Sequence, residues 1–228
     1  MAVLLLSLRR TAVEPKVAMF DILAKFDVWL FYRINGSGRN ILFDHFMPFI
    51  SNEKNFYIPL GLTWLYLIIK KDLRYRLVAV AMLALIGVSE FVCSDVLKPT
   101  FERPRPYHAV SHVHLYNRVN KTWEITPKLE KVVRDQSQSM PSAHATNIFA
   151  AACFLSYFFR RLWPFFFSIA LAVGYSRIYL GVHYPMDVLV GAITGACCAL
   201  GAIFIANRIL ARWGGTPKDK QEAQGKPA

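Results

Sequence analysis

Ser176-Arg-Ile-Tyr-Leu-Gly-Val-His-Tyr-Pro-Met-Asp187 sets a serine, an arginine, a histidine and an aspartate between two long apolar runs. A charged cluster pressed against membrane-length segments is costly unless it binds something. Two other polar stretches sit against apolar runs in the same way: Lys98-Pro-Thr-Phe-Glu-Arg-Pro-Arg-Pro106 and Pro141-Ser-Ala-His144. The apolar runs, rather than a soluble core, are therefore the frame of the fold.

Five such runs follow one another: residues 56–69, 77–97, 142–159, 162–175 and 188–206. A membrane-crossing helix takes about 20 apolar residues, and the run 162–175 reaches that only by borrowing its polar end. Basic clusters turn the chain: Lys70, Lys71, Arg74 and Arg76, then Arg160 and Arg161, then Arg208 and Arg212. Short basic turns stay cytoplasmic, so the three polar stretches share the opposite side. Ahead of the runs, residues 20–34 are amphipathic, with Asp21 and Lys25 on one helical face. That segment either lies along the interface or crosses inside the bundle. Asn35-Gly-Ser-Gly38 breaks it, and residues 41–50 form a second short amphipathic helix. The expected fold is all-α: a polytopic transmembrane helix bundle with five clear spans, plus the amphipathic N-terminal helix as a candidate sixth. The chain divides into N-terminal amphipathic helices (1–55), a membrane core (56–212) that includes the polar loop 98–141, and a disordered tail (213–228).

Composition narrows the function classes. Hydrophobic residues make up 54% of 228, more than a soluble core of this length absorbs. A net charge of +12 suits nucleic acid, an anionic membrane face or an anionic substrate. The long apolar runs select the last two, so no nucleic-acid partner is expected. Cys93, Cys153, Cys197 and Cys198 all lie inside apolar runs, which implies no disulfide framework. Residues 1–10 put apolar residues ahead of Arg9 and Arg10, the reverse of a signal peptide, and are expected to stay on the chain.

The polar stretches carry the chemistry of phosphate. Lys98 offers a point charge and Arg105 a planar fork, and Pro104 and Pro106 stiffen the chain around that arginine. The bland alternative for Lys98 is snorkelling to the headgroups, and Arg103 reads as a flanking charge. Pro141-Ser-Ala-His144 opens a helical run, where free backbone N–H groups favour an anion. Ser142 can donate its hydroxyl to the same oxygen, and His144 can donate a proton to a departing alkoxide; an ordinary helix cap is the alternative. His183 can attack phosphorus without a metal if an acceptor fixes one ring nitrogen, and Asp187, four residues on, can be that acceptor. Tyr184-Pro185 opens the last helix, so Asp187 also complements the helix dipole. Arg177 would neutralise charge developing on the equatorial oxygens. Elsewhere, Glu90 and Asp95 are expected to form a structural ion pair with Lys98 or an arginine. Trp29, Trp64 and Trp163 are expected as interface anchors or packing residues. His108, His112 and His114 lack the carboxylate or cysteine cluster that would complete a metal site.

Residues 98–106 fit Lys, six residues, Arg-Pro; residues 141–144 fit Pro-Ser-Gly-His; residues 176–187 fit Ser-Arg, five residues, His, three residues, Asp. Together they resemble the type 2 phosphatidic acid phosphatase family, which shares this signature with vanadium haloperoxidases. The resemblance implies a helical membrane bundle and metal-independent hydrolysis of a phosphate ester, with no cofactor. By position it implies phosphate binding by Lys98, Arg105, Arg177, Ser142 and a backbone amide near Ala143. It implies His183 as nucleophile, Asp187 as its partner and His144 as the acid. Ala143 departs from the family's glycine; at a helix start no positive φ is needed, so its amide is expected to remain usable.

Bacterial relatives act on lipid A 1-phosphate, phosphatidylglycerol phosphate and undecaprenyl pyrophosphate. Arg118, Lys121, Lys128, Lys131 and Arg134 make the loop a basic cap, which favours lipid A 1-phosphate as the expected substrate. The implied setting is a bacterial inner membrane with the site toward the periplasm. The expected partners are the lipid phosphate and the bilayer, and no obligate protein partner is implied. A non-catalytic lipid-phosphate binding or transport protein would need the cations but not the His183/Asp187 spacing. A vanadate-dependent oxidant is disfavoured by the spans.

Overall fold

A computed structural model describes residues 15–128 and 138–213, with side chains from residue 21 onward. The expectations for residues 1–10 and for the tail, and the cap residues Lys131 and Arg134, lie outside the described residues. Among the described residues, seven helices of eleven or more residues make the body. Helix α1 is Pro15–Tyr32, running into a π turn at Arg33–Ser37. Helix α2, Ile41–Ser51, starts where the Asn40 side chain accepts the Phe43 N–H. Helix α3 is Tyr57–Ile69 and α4 is Leu73–Phe91, the latter continuing through a π stretch, Val92–Leu97, into Lys98–Phe101. Helices α5 (Ala143–Phe158), α6 (Trp163–Tyr179) and α7 (Pro185–Trp213) complete the set.

The centre is α7 crossing α5, with α4 against both. Val78 and Leu85 of α4, Ala150, Phe154 and Phe158 of α5, and Ala199 and Ala206 of α7 form one buried cluster. The crossing is tight enough to need a glycine: a Cβ on Gly195 would stand 2.2 Å from the Thr146 carbonyl oxygen. Small residues that let two helix backbones touch are how membrane helices associate, since lipid offers no hydrophobic drive. The crossing brings the start of α5 onto the start of α7, where the Ser142 N–H donates to the Asp187 carbonyl at 3.0 Å.

The outside of the bundle is apolar. Helix α3 buries none of its residues, and Ile58, Leu60 and Leu62 are 77%, 64% and 64% exposed. A patch of that extent is not stable against water. Two helices among the described residues have both the length and the hydropathy of a span, Leu73–Phe101 and Pro185–Trp213. The expected count of five clear spans is therefore not carried by the helices themselves. Helices α5 and α6, of 16 and 17 residues, sit at the short limit for a span, and their outer ends are taken up by the polar site.

The basic turns gather at one end. There the Arg74 guanidinium donates to the Phe158 carbonyl at 2.7 Å, Tyr75 packs on Phe159, and Asn207 of α7 donates to the Tyr157 hydroxyl at 2.7 Å. The three polar stretches lie at the other end, under the loop that follows α4. The loop corrects the all-α expectation, since it folds into an antiparallel hairpin of β1, His114–Asn117, and β2, Thr122–Ile125. Thr122-Trp-Glu-Ile125 alternates polar and apolar residues as a strand does, and the hairpin has something to pack on. Trp123 meets the Tyr179 ring edge-on, and the Tyr116 N–H donates to the Leu180 carbonyl at 3.3 Å. Gly181 makes this seat. Its φ is +79°, and a Cβ there would stand 2.6 Å from the His114 carbonyl oxygen.

Candidate active site

The turn between α6 and α7 positions the histidine. The amides of Val182 and His183 both donate to the Arg177 carbonyl, which ties the end of α6 to the imidazole. Pro185 opens α7 and Asp187 lies in its first turn, as the sequence predicts. The Asp187 carboxylate reaches back to accept the Tyr184 N–H at 2.8 Å, the reciprocal arrangement of a capping box.

Asp187 is fully buried and saturated. Besides Tyr184, its Oδ2 accepts the Ser139 hydroxyl at 2.5 Å, and its Oδ1 accepts Arg103 Nη1 at 2.8 Å. Arg103 turns its other nitrogen to Asp27 of α1 at 2.6 Å and lies 4.0 Å over the Tyr184 ring. Asp27, also buried, accepts the Met186 N–H at 2.8 Å. Asp187 is not the direct acceptor for the imidazole. Its Oδ2 stands 3.7 Å from His183 Nδ1, whereas the Ser139 carbonyl oxygen is 2.9 Å away. Nδ1–H therefore donates to the Ser139 carbonyl, a tautomer assigned from that partner, and Nε2 keeps its lone pair. Burial pushes His183 down to about 4; Asp187 opposes this and the Arg177 and Arg105 charges add to it.

The opposite side of the imidazole differs. Arg105, Arg118, His183 and Arg177 all act electrostatically on His144. Five buried side-chain nitrogens or oxygens among the described residues lack a hydrogen-bond partner, and four belong here: Arg105 Nε, Ser142 Oγ, His144 Nε2 and Arg177 Nε. His144 Nε2 lies 2.8 Å from a Glu53 carboxylate oxygen but out of hydrogen-bond alignment. Buried polar atoms are nearly always paired, so orphans that cluster mark a place for a ligand. Ala143 opens α5 without a positive φ, and the first amides of a helix have no intrahelical acceptor. The donors present — guanidinium, hydroxyl, helix amides — are those a tetrahedral oxyanion takes.

The structure thus brings Arg105, Ser142, Ala143, His144, Arg177, His183 and Asp187 to one place. Lys98 is half-buried, with its charge felt at Cys93, whose thiol donates to the Pro141 carbonyl. Four residues escaped the sequence reading. Arg103 is an anchor rather than a flanking charge, and Asp27 is its second carboxylate. Ser139 supplies the imidazole's acceptor through its backbone. Ser51, at the end of α2, accepts from both Arg177 and Arg118. Asp27 left a signal, a carboxylate in an otherwise apolar stretch; a backbone carbonyl leaves none. The ion pair expected at Glu90 is replaced by hydrogen bonds to Ser94 and Asn147.

Known proteins bear on this geometry. A family profile described as the PAP2 superfamily matches residues 61–210. The chain is 31% identical over 199 residues to a lipid A 4'-phosphatase of Bacteroides thetaiotaomicron, covering 85% of this chain and 83% of that one. Among solved structures it is similar to Aquifex aeolicus LpxE, with a TM-score of 0.56 and 27% identity over 77% of this chain and 93% of that one. It shares its fold with a transmembrane PAP2-type phosphatidylglycerolphosphate phosphatase of Bacillus subtilis, with a TM-score of 0.62 and 21% identity over 91% and 94% of the two chains.

Proposed function

Because the chain belongs to the PAP2 superfamily, a family of membrane phosphatases, we propose that it hydrolyses a phosphate monoester of lipid A through a phosphohistidine on His183. The observation that carries this reading is the set of four orphaned polar atoms converging beside a neutral, oriented imidazole. Arg105, Arg177, Ser142 and the first amides of α5 hold the non-bridging oxygens, and Lys98 adds charge. Nε2 of His183 attacks phosphorus in line, and a P–N bond forms as the P–O bond to the lipid breaks. His144 takes up a proton as the anionic substrate binds beside it and gives that proton to the departing alkoxide. Water then attacks phosphorus and passes a proton to His144, the P–N bond breaks, and inorganic phosphate leaves. Asp187 is a positioning residue, since it holds Ser139, whose carbonyl holds the ring. In this reading the site faces the periplasm of a bacterial inner membrane, opposite the end where the basic turns gather.

Lipid A is favoured by a relative named for it that aligns over 85% of this chain and 83% of its own and by the basic hairpin, whose Arg118 stands next to Arg177 on Ser51. The sequence points to the 1-phosphate and that relative is named for the 4'-phosphate, so the assay must read both positions. Purified protein is given lipid A, phosphatidylglycerol phosphate and undecaprenyl pyrophosphate, and released phosphate and the residual lipid's mass are followed. Lipid A is expected to turn over fastest, and His183→Ala to lose about 10³-fold or more, in line with the loss of a nucleophile. A His183→Ala protein of unchanged rate removes the mechanism. Faster turnover of undecaprenyl pyrophosphate removes the substrate.

A further inference from the structure

Beside the phosphate site, where α4 packs on α5, lies a hydrogen-bonded chain that the mechanism does not use. Ser94 donates to Glu90 Oε1 at 2.7 Å, Asn147 Nδ2 donates to Glu90 Oε2 at 2.6 Å, and Ser89 donates to Asn147 Oδ1 at 2.7 Å. Glu90, Ser94 and Ser89 come from α4, and Asn147 from α5. Ser89 is buried, Ser94 and Asn147 are half-buried, and Glu90 is exposed.

An exposed carboxyl group on a helix of spanning length and hydropathy is out of place as mere structure. A lone Ser89–Asn147 bond would suffice to join α4 to α5. Depth gives the group a purpose. Glu90 is 17 residues along α4 from its basic end, or about 26 Å at 1.5 Å per residue, close to the outer edge of a hydrocarbon core of about 30 Å. Asn147 follows His144 by three residues on the same face of α5, about one turn deeper. A leaving group that runs down this face of α5 from a scissile oxygen at His144 meets Asn147 and, bonded to it, Glu90.

The chemistry of the cluster says which leaving group. Each Glu90 oxygen has one donor and room for another, so the surface calls for O–H or N–H groups. A bare polyprenyl chain offers none, and a second phosphate would meet a carboxyl group. We propose that Glu90, Ser94 and Asn147 form a leaving-group subsite that selects lipid phosphates whose alcohol carries hydroxyl or amide donors close to the phosphate. This rests on the phosphatase reading above and deepens it. An acylated amino sugar and a glycerol headgroup share the required chemistry.

The test is a ratio. Glu90→Gln, Ser94→Ala and the parent are purified full length and assayed on lipid A, on phosphatidylglycerol phosphate and on dodecyl phosphate, which has no donors. Binding of the same three lipids is measured on a His183→Ala background, which needs no turnover. Glu90→Gln is expected to cut the preference for donor-bearing lipids over dodecyl phosphate by 10-fold or more, and Ser94→Ala to cut it by less. A preference unchanged within twofold, or equal losses on all three lipids with a lowered melting temperature, overturns the subsite, the latter because it is what a helix-joining role would give. If the parent ignores lipid A but prefers phosphatidylglycerol phosphate to dodecyl phosphate, the substrate reading fails while the ratio still tests the subsite. A parent that prefers dodecyl phosphate to both refutes the two together.

Discussion

The two sides of the His183 ring are built by opposite rules. On the Nδ1 side every group is answered: Asp187 by Arg103, Ser139 and Tyr184, Asp27 by Arg103 and Met186, and the ring by the Ser139 carbonyl. On the other side Arg105, Ser142, His144 and Arg177 keep buried atoms with no partner. Positive charge is common to both sides, so charge does not separate them; carboxylates do. The anchored side holds two buried aspartates, whereas among the described residues the poised side has only Glu53, half-exposed and out of line with His144. A saturated network fixes geometry, and an unsaturated one stores binding capacity for an anion. The first is worth stability and the second is worth rate.

Two neighbouring arginines can break that contrast, and here the expected effects are largest. Arg103→Leu strands two buried carboxylates, and removing one partner of a buried pair costs about 3–5 kcal/mol. The variant should express poorly, melt far below the parent and show no turnover. Among the described residues no carboxylate answers Arg105, so Arg105→Leu strands none of them. It should melt at or above the parent while losing about 10²–10³ in rate, the scale of one lost oxyanion donor. Thermal melting and phosphate release on the same preparations decide it, and equal melting losses for the two variants would erase the distinction between the sides.

An anion should sharpen it. Vanadate or inorganic phosphate bound at the poised side stabilises the folded state by RT ln(1 + [L]/Kd), about 2.7 kcal/mol at a hundred times Kd. The parent's melting temperature should rise by several degrees. Arg105→Leu should show a fraction of that rise, and vanadate should inhibit turnover. Ser139→Ala comes next in size. It removes the hydroxyl from Asp187 but keeps the carbonyl that orients the ring, and Asp187 Oδ2 still accepts the Tyr184 N–H. A net hydrogen bond is worth about 1 kcal/mol, so the rate should fall about fivefold, with the bulk of the activity kept.

The sequence made the poised side easier to see than the anchored one, for a physical reason. Lys98, Arg105, Ser142, His144 and Arg177 stand out because polar groups beside apolar runs need an explanation, and their residue types state what they bind. Arg103 looked like a spare charge because its partners, Asp27 and Asp187, are 76 and 84 residues away along the chain. Ser139 acts through a carbonyl that every residue has. The helices were legible from their apolar runs, but the hairpin was not. Residues 114–117 and 122–125 are short, and their pairing depends on a seat formed by Tyr179, Leu180 and Gly181. Among the described residues helix length accounts for two of the five expected spans, for a related reason: α5 and α6 give their outer ends to the site.

The last expected effect is on acid stability, and it joins the two sides. Burial, helped by the Arg177 and Arg105 charges, holds His183 at about 4, below the ordinary 6.5. Between those values the unfolded chain takes a proton that the folded chain refuses. The stability tied to this residue is therefore complete above about pH 6.5 and drains as the pH falls toward 4. The parent should lose melting temperature over that window faster than His183→Gln, and the two curves should run parallel above it. Part of the downward push comes from the arginines of the poised side, so an anion bound there cancels part of it and raises the imidazole again. With saturating phosphate the difference between parent and His183→Gln should shrink. If the difference stays as large with phosphate as without, the arginines and the imidazole do not share one anion, and the two sides of the ring are not halves of one site.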